Sequence, residues 1–66
     1  MRNKLTAIIF KEENMYVAEN PETGVASQGY TIEEALENLK EAVELYLEET
    51  GESIEEKEII VTTFNL

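Results

Sequence analysis

Residues 31–51 read TIEEALENLKEAVELYLEETG, and the rest of the chain is arranged around them. Thr31 is a good N-cap, and Glu34 three places on completes a capping box in which each side chain satisfies a free backbone N–H. Gly51 stands where a left-handed C-terminal cap is wanted, since glycine takes positive φ without a Cβ clash. Between them Ile32, Ala35, Leu36, Leu39, Ala42, Val43, Tyr46 and Leu47 recur at three- and four-residue steps and fill one apolar arc. Glu33, Glu34, Glu37, Glu41, Glu44 and Glu48 gather on the other side, with Leu45 beside them off the apolar arc. The pattern predicts one amphipathic helix from Thr31 to Thr50 that needs an apolar surface to lie on.

Working outward, the flanks predict strands. Lys4 to Lys11, KLTAIIFK, is rich in β-branched and aromatic residues. Glu12-Glu13-Asn14 is a polar break of hairpin length. Met15 to Glu19 reads as a second strand, and Asn20-Pro21-Glu22-Thr23-Gly24 as a turn, with Pro21 pre-setting φ and Gly24 permitting a left-handed residue. Val25 to Gln28 is a short third strand. After a polar connection, Glu58 to Phe64, EIIVTTF, has strong β propensity and predicts a fourth. The expected fold class is α+β, a two-layer β-β-β-α-β arrangement. Its four-stranded mixed sheet has the order 3-2-1-4, the first strand central and one helix on one face. The connection to the last strand is expected to be a right-handed crossover.

Alternation sets Leu5, Ala7 and Ile9 against Ile8 and Phe10, and Ile59 and Val61 against Ile60 and Phe64. Strands apolar on both faces are normally covered on both faces, and one helix covers only one. The other is then an exposed apolar patch of the kind that marks an interface. Ile8, Phe10, Ile60 and Phe64 are the candidates for self-association, and a homodimer or higher homo-oligomer is expected. Size points the same way. A 66-residue chain buries only about 60% of the surface it exposes unfolded, and domains this small usually add a disulfide, a metal or a partner chain. Cysteine and histidine are both absent, which removes disulfides and the commonest zinc ligands.

The formal charge is −10, from fifteen glutamates against five lysines and arginines. Such a field repels phosphate backbones, so direct nucleic-acid binding is not expected, whereas a basic protein surface would be attracted. No apolar run reaches the roughly 20 residues of a membrane span, and Met1-Arg2-Asn3 does not begin a signal peptide, so the expected location is cytoplasmic, without membrane association.

Catalytic chemistry finds little to work with. Glu12-Glu13 and Glu55-Glu56 fall in turns, where carboxylates stay solvated rather than buried with raised pKa values. Ser27 and Ser53 have no histidine to activate them. Calcium-loop spacing is absent, and Gln28-Gly29 before the helix lacks the glycines and lysine of a phosphate loop. Tyr16, Tyr30 and Tyr46 read as packing residues. The expectation is a non-enzyme with no catalytic, cofactor-binding or metal residues and no cofactor.

At the turn and helix the sequence becomes more specific. Tyr16-Val17-Ala18, Asn20-Pro21-Glu22, Gly24, Ser27-Gln28-Gly29, Thr31, Glu33-Glu34-Ala35-Leu36, Ala42-Val43 and Tyr46-Leu47-Glu48, in that order and spacing, resemble the HicB family of type II antitoxins. That family's pattern is a proline-containing turn, a short strand, QG-x-T-x-EEA, and a helix ending near A-x-x-x-Y-L. The resemblance covers residues 5–50 and implies a βββαβ domain that binds and occludes a HicA-like toxin, a basic RNA-cleaving protein. Family members commonly carry a C-terminal DNA-binding domain. Residues 1–66 are instead expected to be a single HicB-like domain without one. Tyr30, Glu33, Glu37, Glu41 and Leu45 are the candidate partner-binding residues. The alternative is a small ligand-binding or regulatory oligomeric domain unrelated to toxin neutralisation, using a cleft between sheet and helix.

Overall fold

A computed structural model describes residues 4–66; Met1-Arg2-Asn3 lie outside the described residues. Three strands, β1 (Ile8–Glu12), β2 (Met15–Asn20) and β3 (Val25–Gly29), precede one helix, α1 (Ile32–Thr50). The strands form an antiparallel meander in the order β1-β2-β3. Phe10 stands opposite Val17, and Ala18 lies between Ile9 on β1 and Ser27 on β3.

The helix is bounded by the two caps its sequence specifies. Thr31 is extended, and its hydroxyl accepts the Glu34 N–H at 3.0 Å. The Glu34 carboxylate in turn accepts the Tyr30 N–H at 2.9 Å, one residue earlier than the usual capping-box partner. At the other end Gly51 has φ +68° and donates its N–H to the Leu47 carbonyl at 2.9 Å.

The expected four-stranded sheet is not what forms. Residues 51–66, including Glu58–Phe64, carry neither helix nor strand, and β1 is an edge strand rather than the centre of a 3-2-1-4 mixed sheet. Two physical reasons account for the difference. β propensity describes fitness for a pleated surface and creates no partner, so a segment laid against nothing gains no ladder hydrogen bonds to offset roughly 1–2 kcal/mol of backbone entropy per residue. The helix, moreover, does not return the chain to β1. It lies across β3 and β2 and scarcely touches β1. Ile60, Val61 and Phe64 therefore remain 70–82% exposed.

The first strand also begins later than its propensity suggests, at Ile8 instead of Lys4. β2 ends at Asn20 because Pro21 follows with no N–H to give, and side chains take over from the ladder. Asn20 Nδ2 donates to the Thr6 carbonyl at 2.8 Å and to Glu22 Oε1 at 2.7 Å. Thr6 returns its N–H to Glu22 Oε1 at 3.1 Å and its hydroxyl to Glu22 Oε2 at 2.8 Å. Asn20 Oδ1 accepts both the N–H and the hydroxyl of Thr23, at 3.0 and 2.6 Å. The side chain of Asn20, only 1% exposed, thus fills its hydrogen-bonding capacity and ties the N-terminal segment to the turn.

The core is small: Ala18 and Ala35 fully buried, Leu39 and Val43 nearly so, with Leu5, Ile9, Tyr16, Val25 and Leu47 packed partly against them. Small residues let the layers approach closely. A Cβ on Gly29 would stand 2.6 Å from the Ala35 backbone nitrogen, so the end of β3 is in contact with the first turn of α1. Ile32 and Leu36, read from periodicity as part of the buried arc, are 47% and 39% exposed.

Candidate interaction surfaces

The outward side of α1 follows from its period. Leu39 and Val43 point into the core, and at 100° per residue Glu33, Glu44, Glu37, Glu48 and Glu41 fall within about 80° of arc on the opposite side. All five are exposed. Leu45, 55% exposed, borders this stripe, and Tyr30, 69% exposed, precedes the helix. The structure thus brings the sequence-derived set Glu33, Glu37, Glu41 and Leu45 onto one open helix face, with Tyr30 ahead of its N-terminal end.

That face works against the stability of its own helix. Glu33, Glu37 and Glu41 are spaced i, i+4, as are Glu44 and Glu48, and like charges at that spacing repel by roughly 0.2–0.5 kcal/mol per pair. Glu33 and Glu34 are well placed beside the positive N-terminal end of the helix dipole. Glu48 and Glu49 sit at its negative end, where the last turn has no basic residue. Beyond the cap, Thr50 Oγ1 donates to the Tyr46 carbonyl at 2.8 Å. The Tyr46 hydroxyl donates to Glu52 at 2.8 Å, and that hydrogen bond and the charge of Glu52 raise the phenol above its ordinary pKa.

The sheet has a second surface. Ile9, Tyr16 and Ala18 face α1, so alternation turns Ile8, Phe10, Met15 and Val17 to the side that α1 leaves uncovered. Of the four residues read as a self-association set, Ile8 and Phe10 share this face, while Ile60 and Phe64 lie on the exposed C-terminal segment. The structure does not gather the four into one patch.

A third feature is a groove between sheet and helix, whose lining residues the sequence did not name. Because α1 sits over β3 and β2, an open groove of about 480 Å³ remains beside the N-terminal approach to β1. Leu5, Ala7, Leu36, Leu39, Val43 and Leu47 make it mainly apolar, with Lys40 and Glu44 also lining it. Its size is that of a small-molecule site, but its polar side chains do not converge on an empty centre. Asn20 and Thr6 are already bonded to each other and to Glu22.

Glu22 is the carboxylate with a distinct environment. Burial alone would raise its pKa, but the hydrogen bonds it accepts from the Thr6 hydroxyl and N–H and from Asn20 outweigh that and hold it below the ordinary 4.5. Those hydrogen bonds favour its ionised form, the accepting state. Among the described residues no three His, Cys, Asp or Glu side chains converge as a metal site requires. Among the described residues no helix is long and apolar enough to cross a membrane.

A family model described as a family of unknown function, DUF7387, matches residues 2–66. The chain belongs to the DUF7387 family. This DUF7387 chain is also similar to a UPF0150 protein of Helicobacter pylori strain J99, 54% identical over 44 residues. The match takes in 65% of the DUF7387 chain and 61% of the relative, so it spans less than two thirds of the relative's length. No solved structure matches the DUF7387 chain. The two names describe families and state no activity or partner.

Proposed function

We propose that the chain is a non-catalytic interaction module that presents the acidic face of α1 to a basic protein. The best-fitting partner class is a small RNA-cleaving toxin of HicA type, occluded as a HicB-type antitoxin would occlude it. The observation that carries the reading is the exposed stripe Glu33, Glu37, Glu41, Glu44 and Glu48, flanked by exposed Leu45 and Tyr30. A self-repelling row of carboxylates on a marginal domain is relieved when a cationic surface neutralises it. Its field also speeds encounter with such a surface. Leu45 and Tyr30 supply apolar and aromatic contacts at the rim of the charge, the kind that anchor an interface. The HicB resemblance runs through the same helix and supplies the partner class. The family match and the similar UPF0150 protein are compatible with it and add no partner of their own.

The test is co-expression of the chain with a basic RNA-cleaving protein of HicA type, followed by purification on the latter and an RNA-cleavage assay. A stable complex in which cleavage is silenced supports the reading. Free passage of the chain, with cleavage undiminished at excess, refutes it.

A further inference from the structure

We infer that two copies of this chain exchange their C-terminal segments, residues 58–66 of each docking in the groove beside β1 of the other. The segment and the groove are complementary in three respects. The first is apolar surface. Ile60, Val61 and Phe64 are 70–82% exposed, and the groove offers Leu5, Ala7, Leu36 and Leu47 on walls made by α1 and the approach to β1, with the chain's own half-buried Ile54 also lining it. A monomer that keeps both on its surface exposes a contiguous apolar supply and an apolar receptor at once.

The second is charge. In a chain of net charge −10, residues 4–11 carry two lysines, Lys4 and Lys11, and no carboxylate, while Lys40 and Glu44 of the groove offset each other. Residues 52–58 carry Glu52, Glu55, Glu56 and Glu58 against Lys57 alone. The most acidic stretch after the helix therefore leads into the segment that would meet the least acidic edge. The third is backbone. β1 pairs with β2 on one side only, so its other edge offers free N–H and C=O groups to an extended chain.

The exposed area is sufficient for a second copy as the occupant. The chain exposes 5677 Å², where a compact monomer of 7.5 kDa exposes roughly 4,200 Å² by mass scaling. The excess of roughly 1,400 Å² per copy exceeds the roughly 800 Å² per partner of a standard interface. A two-fold exchange, in which each copy gives a segment and receives one, closes symmetrically and leaves no spare surface to propagate. This inference does not rest on the antitoxin reading, and it shares with the acidic stripe the single residue Glu44, which also lines the groove.

The test uses the full chain. Light scattering is expected to give about 15 kDa, twice the chain mass. Combining Ile60→Ser with Phe64→Ser is expected to raise the dissociation constant at least tenfold while far-UV circular dichroism is unchanged, because both side chains are exposed in the monomer. The absence of native cysteine permits a direct reading. Copies carrying Phe64→Cys are mixed with copies carrying Ala7→Cys and oxidised. Heterodisulfide is expected at least fivefold above the Phe64→Cys with Glu19→Cys control. A monomer up to millimolar concentration overturns the inference, as does a dimer indifferent to the tail substitutions. So does a chain carrying both Ala7→Cys and Phe64→Cys that closes its disulfide within one copy, since the segment then fills its own groove.

Discussion

Replacing Asn20 by Asp exchanges an amide NH2 for an oxygen with almost no change in volume, and the hydrogen-bond network makes its cost calculable. The Asn20 amide donates to the Thr6 carbonyl at 2.8 Å and to a Glu22 carboxylate oxygen at 2.7 Å, in a side chain 1% exposed. In Asn20→Asp the donor becomes an oxygen facing two acceptors. Two hydrogen bonds are lost, one of them charge-assisted, and the groups left unpaired carry about 1–3 kcal/mol each. Repulsion between two carboxylates adds to that, so the loss at pH 7 is about 3 kcal/mol or more. A domain of this size has roughly 3–10 kcal/mol in total. The variant is then at the edge of unfolding, whereas Asn20→Ala, which adds no charge, loses less. The sign with pH is also set. The new carboxyl is disfavoured in its ionised form by the fold, so its folded pKa lies above its unfolded one, and stability returns as pH falls and a proton restores a donor. Urea unfolding followed by circular dichroism at pH 7 and pH 5 measures both effects. A variant within about 0.5 kcal/mol of the parent at pH 7, or one that weakens further on mild acidification, refutes the network as described.

Four further outcomes follow from the same structure. In the parent chain Glu22 has a lowered folded pKa, so its stabilisation is present above the unfolded value near 4.5 and is lost as pH falls through the folded one. Acid titration of the unfolding midpoint should show that loss, and Glu22→Gln should flatten it. Gly29→Ala drives a methyl to 2.6 Å from the Ala35 nitrogen and should cost about 1–3 kcal/mol, read as a lower thermal midpoint. Glu13 sits in the two-residue β1–β2 turn at φ +55°, so Glu13→Gly should raise stability by up to about 1 kcal/mol in urea unfolding. Glu37→Lys places a cation between Glu33 and Glu41 and should stabilise α1 by about 0.5–1 kcal/mol. It should weaken binding of a basic partner in the same preparation, which separates the role of the stripe in binding from any role in folding.

What was legible in the sequence is what depends on near neighbours. Thr31, Glu34 and Gly51 specify the helix ends through bonds spanning three or four residues, and those bonds are present. The hairpin and the Pro21–Gly24 turn are local in the same sense, and Gly24 takes φ +81°. Long-range partners were not legible. Asn20 looked like one more turn residue, because its hydrogen bond to Thr6 spans fourteen positions and no pattern in the sequence records it. Gly29 read as punctuation before the helix, yet it is where strand and helix touch. The residues from Glu58 to Phe64 were read as a fourth strand on propensity alone, and a strand exists only where another edge receives it. The placement of α1 over β3 and β2 decides that, and it is set by the small side chains Ala18 and Ala35 and by Gly29, not by periodicity. For the interaction surface, alternation and helical period were enough to put Glu33, Glu37, Glu41 and Leu45 together, since both are fixed by backbone geometry. They suggested a cleft between sheet and helix but were not enough to name the residues of the groove, which is made by what the helix fails to cover.

The account rests most heavily on the acidic face of α1. Its most direct measurement is the affinity of the purified chain for a basic HicA-type protein, for the parent and for a variant combining Glu33→Lys, Glu37→Lys and Glu41→Lys, at low and moderate salt. Three charge reversals on a fully exposed face should leave the fold intact and weaken binding at least a hundredfold, about 2.7 kcal/mol, with the parent's affinity falling as salt rises. A folded triple variant that binds as tightly as the parent, or parent binding indifferent to salt, contradicts it.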